Sequence, residues 1–259
     1  MIILHIRTLR FKVIANDPLQ IAELKKYFSK EEVFSIKDIN RFYENQLWFL
    51  AENTLRWRTY RLSKMKVLQR VGRGLYKLGE EVIYIPKINL TNKRIYNKIH
   101  RQFPYAAICI WHTSSLNEFM IHQPGRFNLM LEIEKDAAES VFYFLKESYR
   151  NIYLDPGEEV FYNYIAAKRE SIIVNNLVSE APTQEIYGVQ TATLEKILVD
   201  IFCNDIIFSA YQGQEMNNIF TNALNSYTVN INKLLRYAQR RGRKKDIETY
   251  IKRISNYWQ

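Results

Sequence analysis

Apolar residues recur along this chain at two spacings, and the places where one gives way to the other outline the fold. Asp17-Pro18 predicts the opening of a helix that runs to about Ser29. Ser35 predicts the cap of a second helix. Asp38, three residues on, completes a capping-box pattern and turns Ile39, Phe42 and Tyr43 inward. A third helix is predicted from Asn53 or Thr54 to about Met65. Residues 66–70 and 75–78 then read as two short strands joined by Gly72-Arg73-Gly74. Three helices followed by a hairpin predict a winged helix-turn-helix.

The stretch 86–91 has a proline and no periodicity, which predicts a domain boundary there and domains of 1–88 and 89–259. Beyond it a helix is predicted over 92–103, closed by Pro104, and a buried strand over the apolar run 106–111. Phe127, Leu129, Leu131 and Ile133 alternate as in a half-buried strand. Asp136 and Glu139 predict a capping box for a helix with Ala138, Val141, Phe142, Leu145 and Tyr149 on one face. A strand over 171–178 follows, and then a helix with Leu194, Ile197, Leu198 and Ile201 inward. Two terminal helices are predicted, one presenting Ile231, Leu234, Leu235 and Ala238, the other Ile247, Tyr250, Ile251, Ile254 and Trp258. Gly242 ends the first of them. The fold class is α+β: an N-terminal winged helix-turn-helix, then a mixed α/β domain ending in helices.

Charge sharpens this picture. The 259 residues carry a net charge of +10, a surplus that favours a polyanionic partner. From Asn53 to Leu78 the chain has no acid but carries Arg56, Arg58, Arg61, Lys64, Lys66, Arg70, Arg73 and Lys77. Helical geometry puts Leu55, Thr59 and Leu62 on one side of the third helix, and Arg56, Trp57, Tyr60, Arg61 and Lys64 on the other. Such a face fits the major groove, with cations for phosphates and arginine for a guanine edge. Arg70 and Arg73 lie at the base and tip of the hairpin, within reach of backbone or minor groove. The residues expected on double-stranded DNA are therefore Thr54, Arg56, Trp57, Arg58, Tyr60, Arg61, Lys64, Arg70 and Arg73. A second basic cluster, Arg236, Arg240, Arg241, Arg243, Lys244 and Lys245, straddles the break between the terminal helices.

Catalytic chemistry is harder to find. His112 and His122 are ten apart with no ligand set around them. Leu131-Glu132-Ile133-Glu134-Lys135 is similar to the acidic strand of a metal-dependent nuclease, but no second acid stands out to share a metal. No Ser-His-Asp or Cys-His arrangement can be singled out, and neither a cofactor nor a metal is expected. Cys109 and Cys203 sit in apolar runs and read as buried thiols of a reducing compartment. His5, Arg7, Arg10 and Lys12 interrupt the apolar start, and no later run is long enough to span a bilayer, so a soluble cytoplasmic protein without a membrane partner is expected.

Three segments carry a resemblance: Phe34-Ser35-Ile36-Lys37-Asp38-Ile39, Thr54-Leu55-Arg56-Trp57-Arg58 and Arg70-Val71-Gly72-Arg73-Gly74-Leu75-Tyr76. Together they resemble the winged-helix half of AbiEi-type antitoxins. Thr193-Leu194-Glu195-Lys196-Ile197-Leu198-Val199-Asp200 resembles a second-domain helix of that group, with Lys196 where an arginine is usual and no proline before it. Cys109 to Thr113, Leu116 to Phe119 and His122-Gln123-Pro124 resemble an uncharacterised bacterial subfamily. The resemblance implies a non-enzymatic regulator that represses its own operon and counters a nucleotidyltransferase-like toxin without a stable complex. The alternatives are a nuclease-like second domain delivered by the winged helix, and a non-catalytic protein-interaction module.

Overall fold

The computed structural model describes residues 18–47, 50–79 and 82–254. The chain divides into two compact units between Val82 and Ile83, upstream of the expected boundary. Tyr84 explains the difference. Its ring is buried in the core of the second unit against Phe119 and Tyr227, and its hydroxyl donates to the Ser115 carbonyl at 3.1 Å. The segment expected to close the first domain instead begins the second.

The first unit runs α1 (Ile21–Tyr27), β1 (Phe34–Ser35), α2 (Ile36–Leu47), α3 (Glu52–Lys64), β2 (Leu68–Gly72) and β3 (Leu75–Leu78). Leu24, Phe28, Phe34, Ile39, Phe42, Tyr43, Leu55, Leu62 and Leu68 form its core. The Asp17 expected to open α1 lies outside the described residues. The capping box of α2 forms: the Ser35 amide and hydroxyl both donate to the Asp38 carboxylate, at 2.9 and 2.7 Å, and the Asp38 amide donates to the Ser35 hydroxyl at 3.3 Å. These bonds hold the Asp38 carboxyl below its usual range, the Ser35 amide contributing most.

The third helix starts at Glu52 rather than Asn53 or Thr54, with Ala51 as its uncapped N-terminal neighbour. It ends in a Schellman arrangement, the Lys66 and Val67 amides donating back to Ser63 and Leu62. Lys66 takes the left-handed conformation this needs (φ 56°), so the strand expected from residue 66 begins at Leu68. The three strands order as β1-β3-β2, all antiparallel, with Phe34 opposite Tyr76 and Ser35 opposite Leu75. Arg73 and Gly74 make the hairpin turn. Gly74 (φ 72°) supplies the positive φ, and its carbonyl accepts the Ile36 amide at 2.9 Å, which ties the turn to the start of α2.

The second unit is built on a four-stranded sheet ordered β4-β5-β7-β6: β4 (Ile108–His112), β5 (Phe127–Ile133), β6 (Ile152–Leu154) and β7 (Glu170–Asn176). Strands β5, β6 and β7 are parallel and β4 is antiparallel to β5. Two helices, α4 (Leu90–Gln102) and α5 (Lys135–Lys146), bury Ile95, Ile99, Val141 and Leu145 against Ile110, Leu129, Leu131 and Val174 on one face. The other face carries Cys109, Trp111, Met130 and Ile173 and packs on α7 (Leu194–Cys203), α8 (Gln214–Ser226), α9 (Ile231–Arg240) and α10 (Lys244–Ile254). Strand β5 is therefore buried on both faces, not half-buried, and Glu132 goes into the interior with it. The expected Asp136–Glu139 capping box does not form. Helix α5 starts at Lys135, one residue before Asp136, which therefore lies in its first turn.

Between β6 and β7 lie a short α6 (Glu158–Val160) and a π-helical turn over Phe161–Ile165. A hairpin, β8 (Thr183–Ile186) with β9 (Val189–Ala192), precedes α7. Gly242 (φ 70°) ends α9 in a second Schellman arrangement, the Arg243 amide donating to Ala238. Trp258 lies outside the described residues.

Candidate nucleic-acid interface

Helix α3 sorts its side chains by burial. Leu55, Thr59 and Leu62 are buried as their spacing predicts, and Arg56, Trp57, Tyr60 and Lys64 lie on the solvent side. Lys64 Nζ lies 5.6 Å from the Tyr60 ring centroid. Arg56 is exposed and pairs with Glu52 at 2.6 Å, an acid one residue upstream of the acid-free run. Exposed pairs at this spacing contribute roughly 0.3–0.5 kcal/mol, so a phosphate can take Arg56 from Glu52 at little cost.

Two arginines expected on DNA are not on that face. Arg58 is 8% exposed and Arg61 5%. The Arg58 guanidinium carbon lies 4.3 Å from the Tyr43 ring centroid, and that of Arg61 lies 5.4 Å from the Trp57 ring. Arginine is weakly hydrated for a cation and its planar head stacks on rings, which lets it enter a packed flank that lysine would avoid. Arg58 and Arg61 are thus packing residues of the first unit. Thr54 is half-buried at the start of the helix.

On the hairpin, Arg73 is exposed at the turn and Arg70 is exposed on β2, where its Nε donates to the Gly72 carbonyl at 3.1 Å. The strand register shifts between Arg70 and Gly72, a bulge that re-aims the strand just before the turn. At the other end, Gly79 allows close approach of the strands: a Cβ there would lie 1.8 Å from the Lys66 carbonyl oxygen. The surviving surface is therefore Arg56, Trp57, Tyr60 and Lys64 on α3, with Arg70 and Arg73 on the hairpin.

Half of the second basic cluster is answered by acids. Arg240 pairs with Glu180, Arg243 with Asp246 at 2.6 Å, and Arg241 with Asp200 at 3.1 Å. Arg236, Lys244 and Lys245 are exposed.

Asp200 leads to a feature that sequence reasoning missed. Lys196, fully buried, places Nζ 2.5 Å from Glu132 on β5 and 2.5 Å from Asp200 one turn along α7. The Tyr237 hydroxyl donates to Asp200 at 2.8 Å and the Trp111 indole N–H to Glu132 at 3.3 Å. Burial opposes the charge on Lys196, but Asp200 and Glu132 together outweigh it and hold its pKa well above the ordinary lysine value. Burial raises that of Glu132, against the pull of Lys196. The cluster bridges β5, α7 and α9, and its members are closed off from solvent. The i, i+4 spacing of Lys196 and Asp200 was visible in sequence; their pairing with Glu132 depends on the sheet.

His112 and His122 do not meet at a common site. His112 is buried and caps the 3-10 turn Thr113–Phe119, its Nδ1 accepting the Ser114 amide at 3.3 Å with the Ser114 hydroxyl at 2.6 Å. Glu170 lies 3.5 Å from its Nε2, and burial lowers the imidazole pKa. His122 is exposed and faces Glu215 at 2.9 Å. Among the described residues no group of three or more His, Cys, Asp or Glu side chains is placed to hold a metal ion, and no helix is long and apolar enough to cross a membrane. Cys109 is buried and Cys203 half-buried; burial raises both thiol pKa values.

The sequence matches a family of unknown function, DUF6577, over residues 54–257. The chain belongs to this family. No curated protein matches it. The match takes in nearly all of α3, the hairpin and the second unit through α10, so the basic helix and hairpin lie within the family's shared region.

Proposed function

We propose that this protein is a cytoplasmic DNA-binding transcription regulator. In this reading the first unit is a winged helix-turn-helix, α3 its recognition helix and the β2–β3 hairpin its wing. The observation that carries the proposal is that one short unit presents two basic elements together: the solvent side of α3 and the Arg70–Arg73 turn. Three facts support it. The order α1-β1-α2-α3-β2-β3, with β1 pairing β3, is the order such domains use. The solvent side of α3 mixes cations with Trp57 and Tyr60, which suits sugar and phosphate as well as base edges. The turn at Arg73-Gly74 is narrow and projects a single arginine.

The resemblance to AbiEi-type antitoxins extends the proposal to repression of the protein's own operon and to opposition of a nucleotidyltransferase-like toxin. No enzymatic role is proposed. Glu132, the acid a nuclease would recruit, is already committed to Lys196 in a closed interior. The test is selection of duplexes from a random pool by the purified full chain. Enrichment of one motif, lost in Arg56→Ala, is expected. Failure of any motif to enrich would remove the regulator reading.

A further inference from the structure

We infer that the second unit holds a binding site for a nucleotide-sized phosphorylated ligand, seated on α4 and closed on one side by Phe144 of α5. An open cavity of about 340 Å³ lies there, lined by Arg94, Asn97, Lys98, Arg101, Gln102 and Phe144. That volume is near the lower end of the range for small-ligand sites, ~300–1,000 Å³, and suits a single nucleotide. No carboxylate lines it. The local sequence is equally one-sided, with no acid between Glu81 and Glu118.

Helical spacing puts Arg94, Lys98 and Arg101 in one row. At ~1.5 Å of rise per residue the row spans roughly 10 Å, the length of a short phosphate chain or of two neighbouring backbone phosphates. Ile95, Tyr96 and Ile99 bury the opposite side of α4 in the core, so the row is held on a packed support. Arg94 and Arg101 are exposed, and among the described residues neither pairs with an acid, unlike Arg240, Arg241 and Arg243. Lys98 is already oriented: its Nζ lies 2.5 Å from the Ser148 hydroxyl and 5.1 Å from the Phe144 ring centroid. Arginine binds phosphate oxygens two at a time, and lysine adds a point charge between them. Phe144, held edge-on by Phe103 at 5.6 Å, gives a base an aromatic wall, and the Asn97 and Gln102 amides offer both donors and acceptors. Cations for phosphate and a ring for a base distinguish this cavity from a general anion patch.

The test is calorimetric titration of the full chain at low ionic strength with three probes: adenosine triphosphate, a short oligothymidylate and pyrophosphate. The double variant Arg94→Glu/Arg101→Glu, both at exposed positions, should weaken all three about tenfold or more. Phe144→Leu should weaken the two base-bearing probes about fivefold and pyrophosphate by less than about twofold, Ser148 still holding Lys98, which also shows that the variant is folded. Lys245→Glu, a charge change in the other basic cluster, should leave all three within about twofold. Tighter binding of the triphosphate than of the oligonucleotide identifies a free nucleotide as the source, and the reverse identifies a strand. Wild-type protein that binds no probe overturns the inference. So does a double variant with wild-type affinity, or a Lys245→Glu loss as large as that of the double variant.

Discussion

The Arg58 guanidinium stacks 4.3 Å from the Tyr43 ring centroid, which joins α3 to α2 and fixes which side of α3 meets the core. Arg56, two residues earlier, is on the other side. The two arginines should therefore fail differently. Arg58→Ala loses a desolvated cation–π contact and stem packing, and should destabilise the first unit by about 1–3 kcal/mol. Arg56→Ala gives up only the exposed Glu52 pair, so it should lower Tm far less than Arg58→Ala does and should weaken the preferred duplex by about 1–3 kcal/mol. Thermal unfolding and DNA titration of both variants check this. A lowered Tm for Arg56→Ala with none for Arg58→Ala would reverse the assignment.

The hairpin depends on Gly79, where any Cβ would collide with the Lys66 carbonyl. Gly79→Ala must spread the base of β2 and β3, breaking the bond from the Gly79 amide to Val67. We expect a destabilisation of more than about 1 kcal/mol, with affinity for specific and random duplexes falling by similar factors. Hydrogen exchange over 66–79 reads the opening directly. Unchanged protection there would show that the hairpin closes without a glycine at this position.

How much of this was legible follows from how local each interaction is. The Ser35–Asp38 capping box was readable because both partners lie within one turn. So was Gly242, since the end of a helix is set by its own chain. The burial of Arg58 was not, because helical spacing gives an angle around the axis and says nothing of the Tyr43 ring that α2 brings there. Glu132 was misplaced for a similar reason: alternation in β5 marks one apolar face, but α7 covers the other, and the residue that neutralises Glu132 is 64 positions away. The cavity on α4 did leave a signal, the acid-free stretch from Val82 to Asn117, which the more strongly basic run before it overshadowed.

The Lys196–Glu132 pair should behave as a unit. Lys196→Met strands two buried carboxylates and should cost about 3–5 kcal/mol, and Glu132→Gln should also destabilise. The double variant should cost clearly less than the sum, because each change relieves the charge the other leaves behind. Denaturant unfolding of the four proteins gives the coupling. Simple additivity would show that the two side chains do not share a charge.

The same cluster sets an alkaline limit. The folded-state pKa of Lys196 is raised, so its contribution is present below the ordinary lysine value and is lost as pH climbs through the raised one. Burial also raises Tyr211 and Tyr250 to about 12, which makes the folded state lose stability over the same window. Wild-type Tm should therefore fall above about pH 10. In Lys196→Met the fall should be shallower, since the lysine share is gone while the buried tyrosines and thiols keep theirs. Equal slopes in the two proteins would place the lysine outside the linkage.

Salt dependence of duplex binding tests the central claim most directly. With Arg58 and Arg61 in the core, Arg56, Lys64, Arg70 and Arg73 are the cations left to meet phosphates. About four such contacts predict that log K falls against log salt with a slope of roughly −3 to −4. Arg73→Ala should reduce that slope by about one. A slope near zero, or no duplex binding even at low salt, would contradict DNA binding through this helix and hairpin.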